Sequence, residues 1–401
     1  MRLTIEGARV IDPASQFDQI TDLHIAAGHI VAIGAAPEGF SANQRIDARG
    51  LIASPGLVDL NVSLREPGRT RKGTIDSETR AAAAELILDR CEQAGQVRVF
   101  PYGALTRGLG GEHLSELVAL RDVGCVAFTQ GLAPMKSNRI LRRALEYAAG
   151  FDLPVVFMPQ DPDIAEGGSA HEGATAARMG LVGIPETAET VALARDLLLV
   201  EQTGVQAHFS GLTSARAMDM LADAQARGLR VSADVAMYQL LLCDEDLEGF
   251  SSLLHVQPPL RSKQDRHALR QAVQSGVVQA IASHHQPHEQ EAKRVPFAAS
   301  APGISSVEIL LPLALTLVAD GLLELPALLA RLTCGPARAL NLPVGTISLH
   351  ERADITLFDP VAASLIGHNW LSKGANCPFI GQGAPCKVTH TISNGKLVYQ
   401  A

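Results

Sequence analysis

Aromatic side chains are scarce: Phe, Tyr and Trp make up 4% of the chain, with a single Trp. A core with so few rings has to be packed from Leu, Val, Ile and Ala. The 47% hydrophobic content over 401 residues supplies enough of them for one large domain and a smaller one. Basic runs are missing too. Acidic and basic residues are mixed throughout at a net charge of −8, which excludes a nucleic-acid footprint and a membrane-surface patch. The opening Met1-Arg2-Leu3-Thr4-Ile5-Glu6 has no apolar stretch of the length a signal peptide or membrane span requires. Six cysteines (Cys91, Cys125, Cys243, Cys334, Cys377, Cys386) form no CxxC pair and follow no disulfide-like rhythm. They read as reduced thiols, and the expected location is cytoplasmic.

What is present divides into ends and middle. Residues 1–50 alternate apolar and polar, as in Leu3, Ile5, Ala8 and Val10, then Leu23-His24-Ile25 and Ile30-Val31-Ala32-Ile33. Turn signals at Asp12-Pro13 and Ala27-Gly28 separate these runs, which predicts short strands and hairpins. The tail has the same grammar: Ala353 to Phe358, Val388 to Ile392, then Asn394-Gly395 before Lys396-Leu397-Val398. Asn-Gly between alternating runs is a strong hairpin signal. Residues 1–50 and 345–401 are therefore expected to build one composite β-sandwich domain. Between them, short apolar runs alternate with helical stretches. The runs are Val97-Arg98-Val99-Phe100, Val126-Ala127-Phe128, Val155-Val156-Phe157, Val205 to His208, Val231-Ser232-Ala233 and Val278 to Ala282. The helical stretches include Ala188 to Glu201 and Ser214 to Arg227. Strict alternation over this length implies an α/β fold with a parallel sheet, a (β/α)8 barrel spanning 51–344, with any chemistry at the C-terminal strand ends.

At those ends the sequence resembles the dihydroorotase branch of the amidohydrolases. The motifs are Ser54-Pro55-Gly56-Leu57-Val58-Asp59-Leu60, Leu64-Arg65-Glu66-Pro67-Gly68, Gly183-Ile184-Pro185, Ala194-Arg195-Asp196, Pro258-Pro259-Leu260-Arg261 and Gln286-Pro287-His288. The resemblance spans nearly the whole chain. It implies a distorted TIM-type barrel and a family chemistry in which one or two metal ions activate water against a cyclic amide. Such metals need imidazole and carboxylate ligands converging at the strand ends.

All but one of the positions at which the resemblance places such a ligand are altered. The first-strand His-x-His is Asn61-Val62-Ser63, the acidic pair after the next motif is Gln130-Gly131, and a further histidine is Met158. A His-x-x-His keeps His208 but has Gly211 as its second member, and the last-strand aspartate is His284. Asn61, Ser63, Gln130, Met158, Gly211 and His284 thus read as former metal or catalytic positions, with no metal and no cofactor expected. Arg65 and His288 match family positions that bind the substrate carboxylate, and they could retain that role or simply pair with neighbours. His284, His285 and His288 lie within five residues, yet adjacent strand residues face opposite ways, so His284 and His285 should not share one pocket. The resemblance also implies a second strand and a loop where Ala84 runs directly into Glu85, so a segment is expected to be missing there, or the barrel to be open.

A fold kept while its chemistry is dismantled points to a non-catalytic role. The resemblance is to the family members without a metal site that accompany bacterial aspartate carbamoyltransferase, the preceding enzyme of pyrimidine synthesis. It implies the carbamoyltransferase catalytic chain as partner, with this chain self-associating as a dimer. Two other readings stay open. One is a ligand-sensing pseudoenzyme that binds a pyrimidine intermediate; the other is an amidohydrolase with rebuilt chemistry.

Overall fold

The structure, a computed structural model, describes residues 2–63, 88, 95–367, 370–374 and 376–401. Arg65 and the Ala84–Glu85 junction lie outside the described residues. Six short strands, Tyr102–Ala104, Ala127–Thr129, Val155–Phe157, Ala207–Phe209, Val231–Ala236 and Ala280–Ala282, pair in that order as one parallel sheet. Single parallel bridges continue the wall from Val62 to His285 and from His285 to Ile304. Ser63 N–H donates to His285 O at 2.9 Å, and His285 N–H donates to Asn61 O at 3.2 Å. The expected strand at Val97–Phe100 is displaced, and pairing starts at Tyr102. Val97 is exposed, and the Arg98 guanidinium is drawn to Asp354 in the C-terminal segment.

Helices lie between the strands for reasons visible in their caps. Ser262 accepts from Asp265 N–H while Asp265 reaches back to Ser262, which starts the helix Lys263–Ser275, and Gly276 ends it at φ +91°. Ser214 caps the helix Ala215–Ala226, whose Ala217, Met218, Leu221 and Ala224 recur at helical spacing and are buried. Among the described residues no helix is long and apolar enough to cross a membrane.

Period-two alternation sorts each barrel strand into two faces. Phe128, Val155, Phe157, Ala207, Phe209, Ala233, Val235 and Ile281 join the core shared with the helices. Ala127, Val156 and Ala280 join a smaller cluster with Leu60 and Leu340. By the same alternation, His208, Ser232 and Asp234 turn inward, between residues of the helix-facing core. The barrel interior is a packed core, and its polar members need hydrogen bonds.

Strands from both ends of the chain form a separate eight-stranded sheet. Arg2–Asp12 pairs antiparallel with Phe17–Ala26, and on its other side parallel with Gln44–Asp47 and Ile52–Pro55. Ile52–Pro55 also pairs with Ile355–Asp359, which continues through Lys387–Ser393 to Lys396–Gln400. Residues 52–55, expected in the barrel, thus lie in this sheet. Its core holds Leu3, Ile5, Leu23, Ile25, Ile30, Ile355, Leu357 and Ile392. The tail is not wholly part of it. Ile366, Cys377, Phe379 and Ala384 are buried in the barrel's main core, because this stretch is apolar enough to cover helix-side surface, and Asn376 donates to Gln286 O and Gly303 O.

Asp12 joins the two ends chemically. It is fully buried and accepts from Ala14 N–H, Ser15 Oγ, Thr346 Oγ1 and Ile347 N–H. Asp12→Ala leaves the buried Ile347 N–H and the partly buried Thr346 hydroxyl without their acceptor and should cost about 1–3 kcal/mol of stability, read from urea denaturation. An unchanged midpoint would show that this link carries no weight.

Candidate functional site

The barrel interior is organised around Asp234. Its carboxylate is inaccessible to water and accepts from His208 Nε2 at 3.0 Å, His284 Nε2 at 2.9 Å and Gly211 N–H at 2.9 Å. Burial alone would raise the Asp234 carboxyl, but the hydrogen bonds from His208 and His284 outweigh it and hold the group well below the usual carboxylate range. On its far side, His208 Nδ1 lies 2.9 Å from Ser232 Oγ. His284 has left the strand, which ends at Ala282, and adopts φ +49°. That turn carries its ring over Gly211, where a Cβ would come within 2.5 Å of His284 Cε1. The His284 ring thus fills the space beside Gly211 and is aimed at Asp234.

Asn61 sits beside this cluster, donating to Ser210 Oγ at 3.0 Å, with both ring nitrogens of His284 at 3.5 Å. Below it, Asp59 accepts from Ser283 N–H at 3.0 Å and from Asn61 N–H at 3.3 Å through one oxygen, while its buried Oδ2 has no partner. Burial raises the Asp59 carboxyl above its ordinary value, against the opposing Ser283 hydrogen bonds. Of the sequence-derived positions, Asn61, Gly211 and His284 come together here.

The others are occupied elsewhere. Gln130 accepts from Thr106 Oγ1 at 2.8 Å and donates to Leu109 O at 2.9 Å, which commits its amide to a loop. Gln130 and Met158 border a cavity of about 70 Å³ shared with Gln160, Arg195 and Asp196. Burial pushes the Asp196 carboxyl up to about 6, with Arg195 opposing. Ser63 bridges to His285, whose Nδ1 accepts from Ser306 N–H and Val307 N–H. His288 Nε2 donates to Pro302 O at 3.0 Å, and its N–H donates to Asn376 Oδ1 at 2.8 Å. His284 and His285 therefore serve different partners. The sequence reading missed Asp234 and Asp59. The signal for Asp234 was there: a lone charge inside Val231-Ser232-Ala233-Asp234-Val235, a run otherwise suited to burial.

The metal that this kind of chemistry implies does not fit these residues. Among the described residues no three His, Cys, Asp or Glu side chains are grouped so as to hold a metal ion. The nitrogens that His208 and His284 present to one another's neighbourhood are both spent on Asp234. Gln130 and Met158 offer no strong ligand atom for a hard catalytic ion.

The fold matches that of an L-hydantoinase (dihydropyrimidinase) from Arthrobacter aurescens at a TM-score of 0.82, over 99% of this chain and 96% of that one. Identity is 22%, so this likeness speaks to the fold, the amidohydrolase barrel with its attached sheet. The family described as dihydro-orotase-like matches residues 83–216. A dihydroorotase-like protein of Pseudomonas aeruginosa is 63% identical over 100% of both chains. A dihydroorotase of Syntrophus aciditrophicus is 38% identical, also over 100% of both. This chain belongs to the dihydroorotase-like family. The two alignments extend over 422 and 424 positions, more than the 401 residues here, so residues of these relatives have no counterpart in this chain.

Two outcomes follow from the geometry. Gly211→His forces a side chain into positive φ and against His284, and should destabilise the fold by about 2–4 kcal/mol. Pairing it with His284→Asp, which withdraws the blocking ring, should recover part of that loss in a double-mutant cycle; strict additivity would contradict the packing argument. For pH, a lowered native pKa means Asp234 contributes fully above its unfolded value of about 4, and the contribution fades as pH falls through the native value. Denaturation midpoints of Asp234→Asn should therefore fall less steeply on acidification than those of the parent.

Proposed function

We propose that this chain is a non-catalytic dihydroorotase-like subunit that supports assembly and activity of an aspartate carbamoyltransferase in the cytoplasm. One observation carries the reading. His208, which the resemblance places among the metal ligands, and His284, at the position of the family's aspartate, are here both directed at Asp234, together with the Gly211 N–H. Metal-assisted hydrolysis requires an open coordination position and a free base, and neither belongs to such a closed network. Among the described residues the main core and the terminal sheet core are nonetheless well filled. A fold maintained around a closed interior suits a protein whose surface is its function, and obligate interfaces rest on broad, mostly apolar contact independent of a catalytic pocket. The carbamoyltransferase catalytic chain is the partner that the sequence resemblance implies, with this chain joining copies of it as a dimer.

The test is to express the carbamoyltransferase with and without this chain and compare particle mass and activity. The expected result is a larger, active particle only when both are present, unaffected by Asp234→Asn or His288→Ala. Purified alone and supplied with zinc, the chain should show no turnover of dihydroorotate or carbamoyl aspartate. A transferase of equal mass and activity in its absence, with nothing co-eluting, would remove the assembly role. Measurable turnover would restore the enzyme reading.

A further inference from the structure

A second cavity, of about 240 Å³, opens beside the loop that follows the last barrel strand and is lined by Ser252, Leu253, Gln290, Lys293, Arg294 and Asn376. We propose that it binds a small oxyanion, a carboxylate or a phosphate, on the ammonium of Lys293 with Arg294 at the rim.

Lys293 ends the short turn Gln290–Lys293 and is 7% exposed. Its Nζ donates to Ser252 O at 3.0 Å and to His255 O at 3.2 Å. Two carbonyl dipoles solvate the ammonium but leave its charge uncompensated, and one of its three donors remains. Among the described residues no carboxylate comes within 4.0 Å of it. Burial alone lowers its pKa to about 8. The adjacent His255 is pushed down to about 4 by burial and then by Lys293 itself, so that ring is neutral at physiological pH. Arg294 adds a second positive group, and its Nη2 donates to the neutral Gln290 Oε1 at 2.7 Å.

A buried charge is ordinarily paired, because desolvation without a counter-charge costs several kcal/mol. Lys293 lines a cavity and the described residues supply it no counter-charge, so that charge is assigned to a ligand. The other walls do not compete for it. The Asn376 amide is spent on Gln286 O, Gly303 O and the His288 N–H, and Leu253 contributes an apolar side. A compact anion matches a lysine, which acts as a point charge, better than an extended planar ligand would.

The test uses the full chain at constant ionic strength. Inorganic phosphate and succinate are titrated by calorimetry and thermal melting, with chloride as the control. Saturable binding of either oxyanion, with a raised melting temperature, is expected. Stronger phosphate binding assigns the site to phosphate ligands, and stronger succinate binding assigns it to carboxylates. Lys293→Met should weaken the bound anion by at least about tenfold, and Arg294→Gln should weaken it less. As a check independent of folding, the anion should slow acetylation of Lys293 in the parent protein, read by mass spectrometry. No saturable response to either anion, an undiminished response in Lys293→Met, or an unchanged acetylation rate would overturn the proposal.

Discussion

A carboxylate withdrawn from water is tolerated only where hydrogen bonds replace its hydration, and Asp234 imposes that condition on the centre of the barrel. Its two oxygens draw in His208, His284 and the Gly211 N–H. The rest of the interior is arranged around that demand. His284 has to leave the strand with positive φ to reach it, and Gly211 has to lack a side chain so that the ring can pass. Asn61 and Ser210 then fill the remaining polar edge. Asn61, Gly211 and His284 are thereby explained together, as parts of one packed network. Removing any one member strands a buried group that the others were placed to satisfy.

The frame that holds this network does not depend on it. Asp12 ties the first strand to Thr346 and Ile347. Glu189, buried, accepts from the N–H and hydroxyl groups of both Thr213 and Ser214, fixing the start of the helix that follows the His208 strand. Asn376 fastens the C-terminal segment to the loops around Gln286 and Gly303. Each anchor is a buried polar side chain meeting several backbone donors or acceptors at once, which makes its geometry specific.

Much of this was legible in the sequence. Alternation placed Val155 to Phe157 and Ala280 to Ala282 on strands. Helical spacing placed a helix from Ser214 to Arg227, and Asn394-Gly395 marked the last hairpin. The resemblance says which residue types the family places at positions 61, 130, 158 and 211. What surrounds those positions in this chain could not be read from it. The turn of His284 toward Asp234 is set by the space that Gly211 leaves across the barrel, a contact between residues 73 positions apart that no local pattern encodes. Val97–Phe100 misled because its alternation is genuine but answers to Asp354 in a distant segment. The packing of Ile366, Cys377, Phe379 and Ala384 on the barrel core was not legible for a similar reason: strand grammar at both ends of the tail says nothing of the stretch between.

Interior imidazoles and a carboxylate that are committed to each other should hold no metal. Elemental analysis of protein purified without chelators, before and after incubation with zinc and desalting, tests it most directly. The account predicts far less than one zinc per chain in both samples, and no change on Asp234→Asn or His284→Ala. One zinc per chain that survives desalting and is lost in either variant would contradict it.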